Sequence, residues 1–295
     1  MSEAWTLGRL LDWAMDFLRK QGSASPRLDA QVLLTHVTGL DRVRLYVDFE
    51  RPLVDTELAR FKDLVKRRAR GEPVAYIVGV KEFYGRDFAV DTRVLVPRPE
   101  TELLVDAAKA YLRESSERTR IVDVGVGSGA IAVSLAAELR TSHSELVAVG
   151  IDASADALEV AAQNAERHGV RDRVKLVRGQ GTEPIKSPQS VDVLVSNPPY
   201  LDAGLMATLP RDVRDFEPHL ALSGGSDGLE VLRPLISDAP RVLRAGGWLG
   251  LEVAGEAQAA QVVALLEATG AFEPASVIKD YAQFDRHVVA RRRAV

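Results

Sequence analysis

The chain has 295 residues, of which 46% are hydrophobic, so it is long enough for one large domain and one small one. Its 38 basic and 42 acidic side chains give a formal net charge of -4, which argues against a polyanionic partner for the molecule as a whole. It has no cysteine, which excludes disulfides, thiolate metal sites and thiol nucleophiles.

The remaining composition points to no metal and no membrane. The five histidines are scattered without the spacing of metal ligands, so we expect no bound metal. Residues 1–22 carry Asp12 and Asp16 inside an apolar pattern and show neither a basic leader nor a small-residue cleavage site. No apolar run is long enough to cross a bilayer. We therefore expect a cytoplasmic protein.

The first 75 residues have the pattern of amphipathic helices. Gly22 is a plausible end of the first helix, Ser25 and Pro26 suit the start of a second, and Asp55 suits the cap of a third that ends before Gly71. The apolar positions of the first helix are Leu7, Leu10, Leu11, Ala14, Phe17 and Leu18. This pattern predicts a small all-α domain over residues 1–75.

The pattern changes to short β-like pieces over residues 76–97. These pieces are Phe83-Tyr84-Gly85, Phe88-Ala89-Val90 and Val94-Leu95-Val96. They predict a β-hairpin linker between two domains. Pro99 suits the first position of the next helix, and Glu100 and Glu102 suit its first turn.

Residues 98–295 alternate between strand and helix. The predicted strands are 120–125, 146–152, 174–179, 191–197 and 247–253, with two weaker ones at 276–279 and 287–290. The predicted helices between them are 129–140, 154–168, 228–244 and 256–269. This order predicts an α/β fold with a mostly parallel, doubly wound sheet of seven strands and ligands at the carboxyl ends of the strands.

A glycine-rich loop follows the first strand of that sheet. It contains Gly125, Gly127 and Gly129 and opens a helix, so bare backbone can approach a ligand there. Glycines alone are equally consistent with a tight turn. Asp152, at the end of the next strand, stands where a ribose-binding carboxylate belongs in a nucleotide-binding sheet. Together these features predict an adenosine-containing ligand.

The fourth strand ends in Asn197-Pro198-Pro199-Tyr200. The side-chain oxygen of Asn197 and the carbonyl of Pro198 are able to accept hydrogen bonds from one planar NH2 group, and Tyr200 is able to stack on a flat substrate. Such an arrangement aims the face of a conjugated nitrogen at an electrophilic methyl group. The residues predict methylation of a planar amino group; a plain turn after the strand is the alternative.

At this point the sequence resembles a known family, the release-factor glutamine methyltransferases of the PrmC/HemK type, over nearly the whole chain. The matching motifs are Arg27-Leu28-Asp29-Ala30, Gly71-Glu72-Pro73-Val74-Ala75-Tyr76-Ile77, Glu82-Phe83-Tyr84-Gly85, Pro97-Arg98-Pro99-Glu100-Thr101-Glu102, residues 123–130, residues 196–200, Glu217-Pro218 and Gly224-Gly225-Ser226-Asp227-Gly228. The motif at residues 97–102 and the pair formed by the last two motifs are more specific than Asn-Pro-Pro-Tyr, which other amino-methyltransferases share.

The resemblance implies a Rossmann-like class I methyltransferase domain over residues 98–295. It also implies S-adenosyl-L-methionine as cofactor, with S-adenosyl-L-homocysteine as product. The implied substrate is the glutamine of the Gly-Gly-Gln tripeptide in class I peptide chain release factors. The helical domain would help to bind the release factor, and we expect a monomer.

The resemblance also implies roles for individual residues. The loop formed by Gly125, Val126, Gly127, Ser128 and Gly129 resembles the one under the methionine half of the cofactor, although Val126 stands where threonine is usual. Asp152 resembles the ribose ligand, and Gly181 lies in the segment expected beside adenine. Asn197, Pro198, Pro199 and Tyr200 resemble the glutamine-binding corner, with Asn197, Pro198 and Tyr200 in catalytic roles. Asn197 also resembles a cofactor-binding residue next to the reactive methyl group. Arg98 resembles one wall of the substrate site.

Three other functions fit parts of the pattern. A DNA adenine or rRNA guanine methyltransferase could use the same Asn-Pro-Pro-Tyr corner on a flipped base, but the acidic balance and the absence of an evident basic recognition domain argue against it. A methyltransferase acting on a ribosomal-protein glutamine is closer, and only the N-terminal half of the chain argues against it. A catalytically silent binding module would not need the Asn197 corner and the glycine loop.

Overall fold

The computed structural model describes residues 4–113 and 119–294, which form two compact units. The first unit holds the chain up to Val80 together with Pro210–Phe216, and the second holds Lys81–Leu209 and the chain from Glu217 onward. Residues 1–3, 114–118 and 295, which belong to the predicted domains 1–75 and 98–295, lie outside the described residues. Within the described ranges, no helix is long and apolar enough to cross a membrane.

Short helices build the first unit. In chain order they are α1 (Leu7–Lys20), α2 (Pro26–Thr38), α3 (Arg42–Val47), α4 (Asp55–Ala69), α5 (Val74–Val78) and, from the later segment, α10 (Arg211–Phe216). The leucines of α1 lie on one face because they are three or four positions apart, and Leu10 and Leu18 are fully buried. Phe61 of α4 joins the same core. The prediction of a helical N-terminal part is confirmed.

Arg68 joins three helices of this first unit. Its Nε donates to Asp29 Oδ2 at 2.7 Å, which connects α4 to α2, and its Nη1 lies 3.4 Å from Asp212 Oδ2 on α10. The side chains of Arg68 and Asp29 are only 11% and 10% exposed. The ion pair is therefore largely withdrawn from water.

The second unit begins with a hairpin of β1 (Val80–Phe83) and β2 (Arg86–Ala89). The predicted β segment 76–97 was partly wrong: its start at Tyr76 lies in α5, Tyr84 and Gly85 form the turn, and neither Val90 nor residues 94–96 are in a strand. The turn has left-handed backbone at Tyr84 (φ 53°) and Gly85 (φ 68°). The carboxylate of Glu102 accepts a hydrogen bond from Tyr84 N at 2.9 Å, which holds this turn.

The central sheet has seven strands in the order β5-β4-β3-β6-β7-β9-β8. The strands are β3 (Arg120–Val124), β4 (Val147–Asp152), β5 (Val174–Arg178), β6 (Val191–Ser196), β7 (Leu243–Glu252), β8 (Ser276–Lys279) and β9 (Asp285–Arg291). The first five are parallel to one another, and β9 runs antiparallel to both β7 and β8. The predicted mostly parallel, doubly wound α/β sheet is confirmed.

Helices cover both faces of this sheet. They are α6 (Glu102–Leu112), preceded by a 3-10 turn (Pro99–Thr101), α7 (Ala130–Glu138), α8 (Ala155–Arg167), α11 (Leu232–Val242) and α12 (Glu256–Ala268). The short α9 (Ala203–Thr208) and a second 3-10 turn (His219–Ala221) have no buried residues. Val193 and Val195 of β6 face the core under α6 and α7, whereas Leu194 faces the core under α11. Burial on both faces explains why three consecutive residues of β6, Val193, Leu194 and Val195, are apolar.

The strand order reverses between β3 and β6. The chain passes from β3 outward to β4 and β5 and then returns to β6 on the other side of β3. Val124 and Ser196 are paired in the register of β3 and β6. Gly125 and Asn197, one position further on, therefore leave the sheet side by side. Open α/β sheets bind ligands in the crevice at such a reversal.

Candidate active site

A cavity of about 500 Å³ opens at the carboxyl ends of the parallel strands. The loops after β3, β4, β5 and β6 all contribute to its wall, with residues 125–128, 152–154, 179–183 and Asn197. Arg98 and Thr101, before α6, complete the wall next to Asn197. A cavity of this volume is large enough for a cofactor or a drug-sized ligand.

The glycine loop is shaped by its backbone. Gly125, Gly127 and Gly129 have φ of 75°, 51° and 83°, which is left-handed backbone that other residues rarely adopt. The amide of Gly125 donates to the carbonyl of Ile151 in β4 at 2.8 Å. A Cβ on Gly125 would lie 3.8 Å from the carbonyl oxygen of Asn197. The loop therefore presents bare backbone directly beside the Asn197 corner.

Asp152 fastens this loop to the end of β4. Its Oδ2 accepts from Gly127 N at 2.9 Å, and its Oδ1 accepts from Ser154 N at 2.9 Å. The side chain lines the cavity and is only partly buried. Because an ionised carboxylate has about four lone-pair sites, Asp152 retains capacity to accept hydroxyl hydrogen bonds from a ligand.

Asp123, at the end of β3, is a buried acid below the loop. Ala132 N donates to its Oδ2 at 3.1 Å, while its Oδ1 has no hydrogen-bond partner among the described residues. Burial, with a smaller contribution from the charge of Asp152, raises the pKa of Asp123 to about 7. Desolvation disfavours the charged form of a carboxyl group. The carboxyl group of Asp123 therefore titrates close to neutral pH.

Hydrogen bonds hold Asn197 from behind. Asn197 Nδ2 donates to Thr101 Oγ1 at 3.2 Å, and Thr101 Oγ1 donates to Glu252 Oε2 at 2.6 Å. The hydroxyl of Tyr200 donates to the other oxygen of Glu252 at 3.3 Å. Burial, and then the charge of Glu252, raises the pKa of the Tyr200 phenol, so the phenol keeps its proton. Asn197 and Tyr200 are tied to one buried carboxylate.

Arg98 is oriented by a buried acid. Its Nη2 donates to Glu217 Oε1 at 2.7 Å, and the Glu217 side chain is 2% exposed. The other oxygen of Glu217 accepts from Val96 N at 3.3 Å. The guanidinium of Arg98 therefore stands at the cavity wall in a fixed orientation.

The cavity brings together most of the residues named from sequence. Those in its wall are Gly125, Val126, Gly127, Ser128, Asp152, Gly181, Asn197, Pro199 and Arg98. Gly129, Pro198 and Tyr200 are not part of the wall that the described residues form. Gly129 instead caps α7, where its Cα faces Ala161 and Val133. The functional roles of all these residues remain predictions.

Sequence reasoning missed several polar residues in the wall, and Glu252 behind it. Thr101 lies in the Pro97–Glu102 motif but received no role, and Glu252 was overlooked although, like Asp152, it is an acid that ends an apolar strand. Thr182 and Asp238 were also missed; they line the cavity beside Gly181, and the Thr182 hydroxyl donates a hydrogen bond to Asp238.

Two family models match the chain. One, described as the PrmC N-terminal domain, matches residues 9–79. The other, described as the methyltransferase small domain, matches residues 99–209 and so contains both the glycine loop and the Asn197 corner.

Similar curated proteins are named release factor glutamine methyltransferase. The one from Geobacter sulfurreducens is 44% identical to this chain, with 91% of this chain and 90% of that protein covered. The one from Nitratidesulfovibrio vulgaris is 43% identical, with 97% and 95% covered. The similarity thus runs through both units.

Solved structures share the fold at low sequence identity. The catalytic domain of hMettl16 in complex with MAT2A 3'UTR hairpin 6 has a TM-score of 0.57 and 16% identity, with 77% of this chain and 81% of that chain covered. The N-terminal domain of human METTL16 in complex with SAH has a TM-score of 0.51 and 16% identity, with 78% and 83% covered. At this identity the likeness concerns the fold alone.

Proposed function

We propose, because the chain belongs to the release factor glutamine methyltransferase family, that its target is the glutamine of the Gly-Gly-Gln tripeptide in class I peptide chain release factors. The chain is an S-adenosylmethionine-dependent protein glutamine methyltransferase. The atom that we propose to be methylated is the side-chain amide nitrogen, N5, of this glutamine.

The residues of the cavity suit S-adenosylmethionine. The glycine loop offers bare backbone at the sheet reversal, and Asp152 offers a carboxylate at the next strand end. We assign the methionine half of the cofactor to residues 125–129, the ribose to Asp152, and the adenine to the region of Gly181. When bound, the cofactor supplies an electrophilic methyl group on a positively charged sulfur and leaves as the thioether S-adenosylhomocysteine.

The chain's own task is to orient a poor nucleophile. The lone pair of a glutamine amide nitrogen is shared with its carbonyl group, so the nitrogen must present its face to the methyl group as that conjugation is lost. We propose that Asn197 Oδ1 and the Pro198 carbonyl accept the two amide hydrogens. These hydrogen bonds strengthen as the nitrogen gains positive charge, so they stabilise the transition state more than the bound substrate. As the N–C bond forms and the S–C bond breaks, the nitrogen becomes cationic, and it then loses one of its two hydrogens as a proton to water.

The observation that supports this proposal is that the glycine loop and the Asn197 corner lie next to each other. The loop after β3 and the corner after β6 line one cavity, and a Cβ on Gly125 would lie 3.8 Å from the Asn197 carbonyl oxygen. Holding a nitrogen beside a methyl donor in this way makes the reaction effectively unimolecular. We assign Pro199, Tyr200 and Arg98 to the substrate side of the same corner.

The same family membership supports proposals for the rest of the chain. We propose that the helical residues 1–75 bind the release factor, that residues 76–97 link them to the methyltransferase domain at 98–295, and that the protein acts as a cytoplasmic monomer.

The test is mass spectrometry of a class I release factor after incubation with this protein and S-adenosylmethionine. We expect one added methyl group, located on the Gly-Gly-Gln glutamine. A release factor with that glutamine replaced by alanine is the matched control and should gain none. Methylation of another residue, or of duplex DNA or ribosomal RNA offered in parallel, would overturn the proposal.

A further inference from the structure

A chain of buried polar groups lies behind Asn197. Thr101 is 4% exposed and Glu252 is 1% exposed, and neither belongs to the residues that we assign to cofactor or substrate. Asn197 Nδ2 donates to Thr101 Oγ1, and Thr101 Oγ1 donates to Glu252 Oε2 at 2.6 Å. We propose that Thr101 and Glu252 are positioning residues that determine which end of the Asn197 amide faces the cavity.

The single hydrogen of the Thr101 hydroxyl determines how the Asn197 amide is oriented. A threonine hydroxyl has one hydrogen, and in Thr101 it is committed to Glu252 at 2.6 Å. Towards Asn197 the hydroxyl is therefore only able to accept, so the NH2 end of the amide must face it. The oxygen end, Oδ1, has no hydrogen bond within the described part of the chain and is left for a ligand of the cavity.

The carboxylate of Glu252 accepts hydrogen bonds from two hydroxyl groups. Its second oxygen accepts from the Tyr200 hydroxyl at 3.3 Å, so both carboxylate oxygens face hydroxyl donors. The sheet fixes the position of Glu252, because it is paired with His287 in the register of β7 and β9. His287 Nε2 lies 3.5 Å from Glu252 Oε2, and its ring is fully buried.

The orientation of the Asn197 amide bears directly on the reaction. This inference rests on the proposed function, in which the substrate is an amide NH2 group that needs hydrogen-bond acceptors. With Oδ1 towards the cavity, Asn197 offers such an acceptor. With its amide reversed, the NH2 group of Asn197 would face the NH2 group of the substrate. An unsatisfied donor pair in a cavity opposes binding and catalysis. The Thr101 hydroxyl, to which we assign no contact with the substrate, thus selects the orientation of Asn197 that binds the substrate amide.

The test compares Thr101→Val, which removes the hydroxyl at nearly constant volume, with Thr101→Ser, which retains it. The first measurement needs no substrate: hydrogen exchange of the Asn197 side-chain amide by NMR, with the resonance assigned from its loss in Asn197→Ala. We expect exchange to be about tenfold faster in Thr101→Val, because one hydrogen bond is lost, and close to wild type in Thr101→Ser.

The second measurement is turnover of a release factor. We expect kcat to fall about ten- to a hundredfold in Thr101→Val while the Kd for S-adenosylmethionine changes less than about twofold, and Thr101→Ser to restore kcat. If Thr101→Val does not fold, Thr101→Ala serves in both measurements.

The possible failures are distinguishable. Wild-type exchange and kcat in Thr101→Val would overturn the inference, as would a Thr101→Ser variant as impaired as Thr101→Val, since that result would indicate packing rather than hydrogen bonding. If the wild-type protein does not methylate a release factor, the proposed function fails. The exchange comparison then still shows whether Thr101 orients Asn197.

Discussion

At the scale of single residues, Asn197 is where the proposed chemistry is concentrated. Replacing Asn197 with alanine removes the side-chain acceptor but leaves the glycine loop and Asp152 in place. We expect turnover on a release factor to fall about a hundredfold or more, as when one transition-state hydrogen bond is removed. Calorimetry should show nearly unchanged affinity for S-adenosylmethionine. Turnover close to that of wild type would contradict the role of Asn197.

The raised pKa of Asp123 predicts how the free energy of unfolding changes with pH. Its pKa in the folded chain, about 7, is raised above the ordinary value of 3.8. The folded state therefore keeps a proton that the unfolded state loses, and stability falls as pH rises from about 4 to about 7. We expect the free energy of unfolding, without cofactor, to lose about 2 kcal/mol from this group between about pH 5 and about pH 8.

Asp123→Asn should remove that loss, because asparagine does not titrate. The measurement is urea denaturation at both pH values, followed by Trp248 fluorescence in a background without Trp5 and Trp13. Asp172→Asn, at an exposed position, is the matched control and should retain the wild-type dependence. Equal pH dependence in Asp123→Asn and wild type would contradict the assignment.

At the scale of elements, the Asn-Pro-Pro-Tyr corner is supported by a neighbouring glycine segment. A Cβ on Gly224 would lie 2.8 Å from the carbonyl oxygen of Pro199 and 2.8 Å from Tyr200 Cα. Gln258 Nε2 donates to the carbonyls of Tyr200 and Gly228 at 3.0 Å each, which joins the two segments. The corner is thus packed backbone against backbone, with no room for a side chain.

Gly224→Ala should therefore displace the corner. We expect turnover to fall about tenfold or more, because small misplacements of reacting groups have large effects on rate, with little change in cofactor affinity. Steady-state kinetics and calorimetry check this. In the control Gly204→Ala, the new Cβ meets only the Asp202 side chain, at 3.1 Å, and turnover should not change.

The elements differ in how well the sequence predicts them. Fully buried strands such as β6 are predictable because their apolar runs are bounded by polar residues. The hairpin turn was misplaced because Tyr84 has an aromatic side chain typical of strands, yet its left-handed backbone is held by Glu102, which is distant in sequence. The helices α3, α9 and α10 have six residues each, too few to show a period.

In the candidate site, too, some residues are predictable from the sequence and others are not. The glycine loop, Asp152 and the Asn197 corner follow strand ends, and that position is visible in the sequence. Thr101 and Glu252 are 151 positions apart. Their hydrogen bond depends on the packing of α6 against the sheet, and no local pattern reports it. The wall residues at the strand ends were thus predictable, whereas Thr101 in the wall and Glu252 behind it were not.

At the scale of the whole molecule, the segment Pro210–Phe216 belongs to the first unit although it is distant in sequence. Arg68 holds part of this arrangement through Asp29 and Asp212. Replacing Arg68 with alanine leaves the largely buried carboxylate of Asp29 without its cationic partner, with the Ser23 hydroxyl still donating to it. We expect the first unit to lose about 2 kcal/mol or more of stability.

Urea denaturation followed by Trp5 and Trp13 fluorescence in a Trp248→Phe background measures this loss. Arg19→Ala is the matched control, because Arg19 and its partner Asp16 are 61% and 65% exposed. Its effect should stay below about 1 kcal/mol. An equally small effect of Arg68→Ala would contradict the prediction.

The reversal of strand order also has a consequence for how the protein folds. The hydroxyl of Ser196 donates to the carbonyl of Val124 at 2.6 Å across 72 positions of sequence. Contacts of such long range form slowly, because the intervening chain must first be closed into a loop. The pairing of β3 with β6 brings the glycine loop next to the Asn197 corner. Recovery of S-adenosylmethionine binding during refolding should therefore be late and should mark the completed second unit.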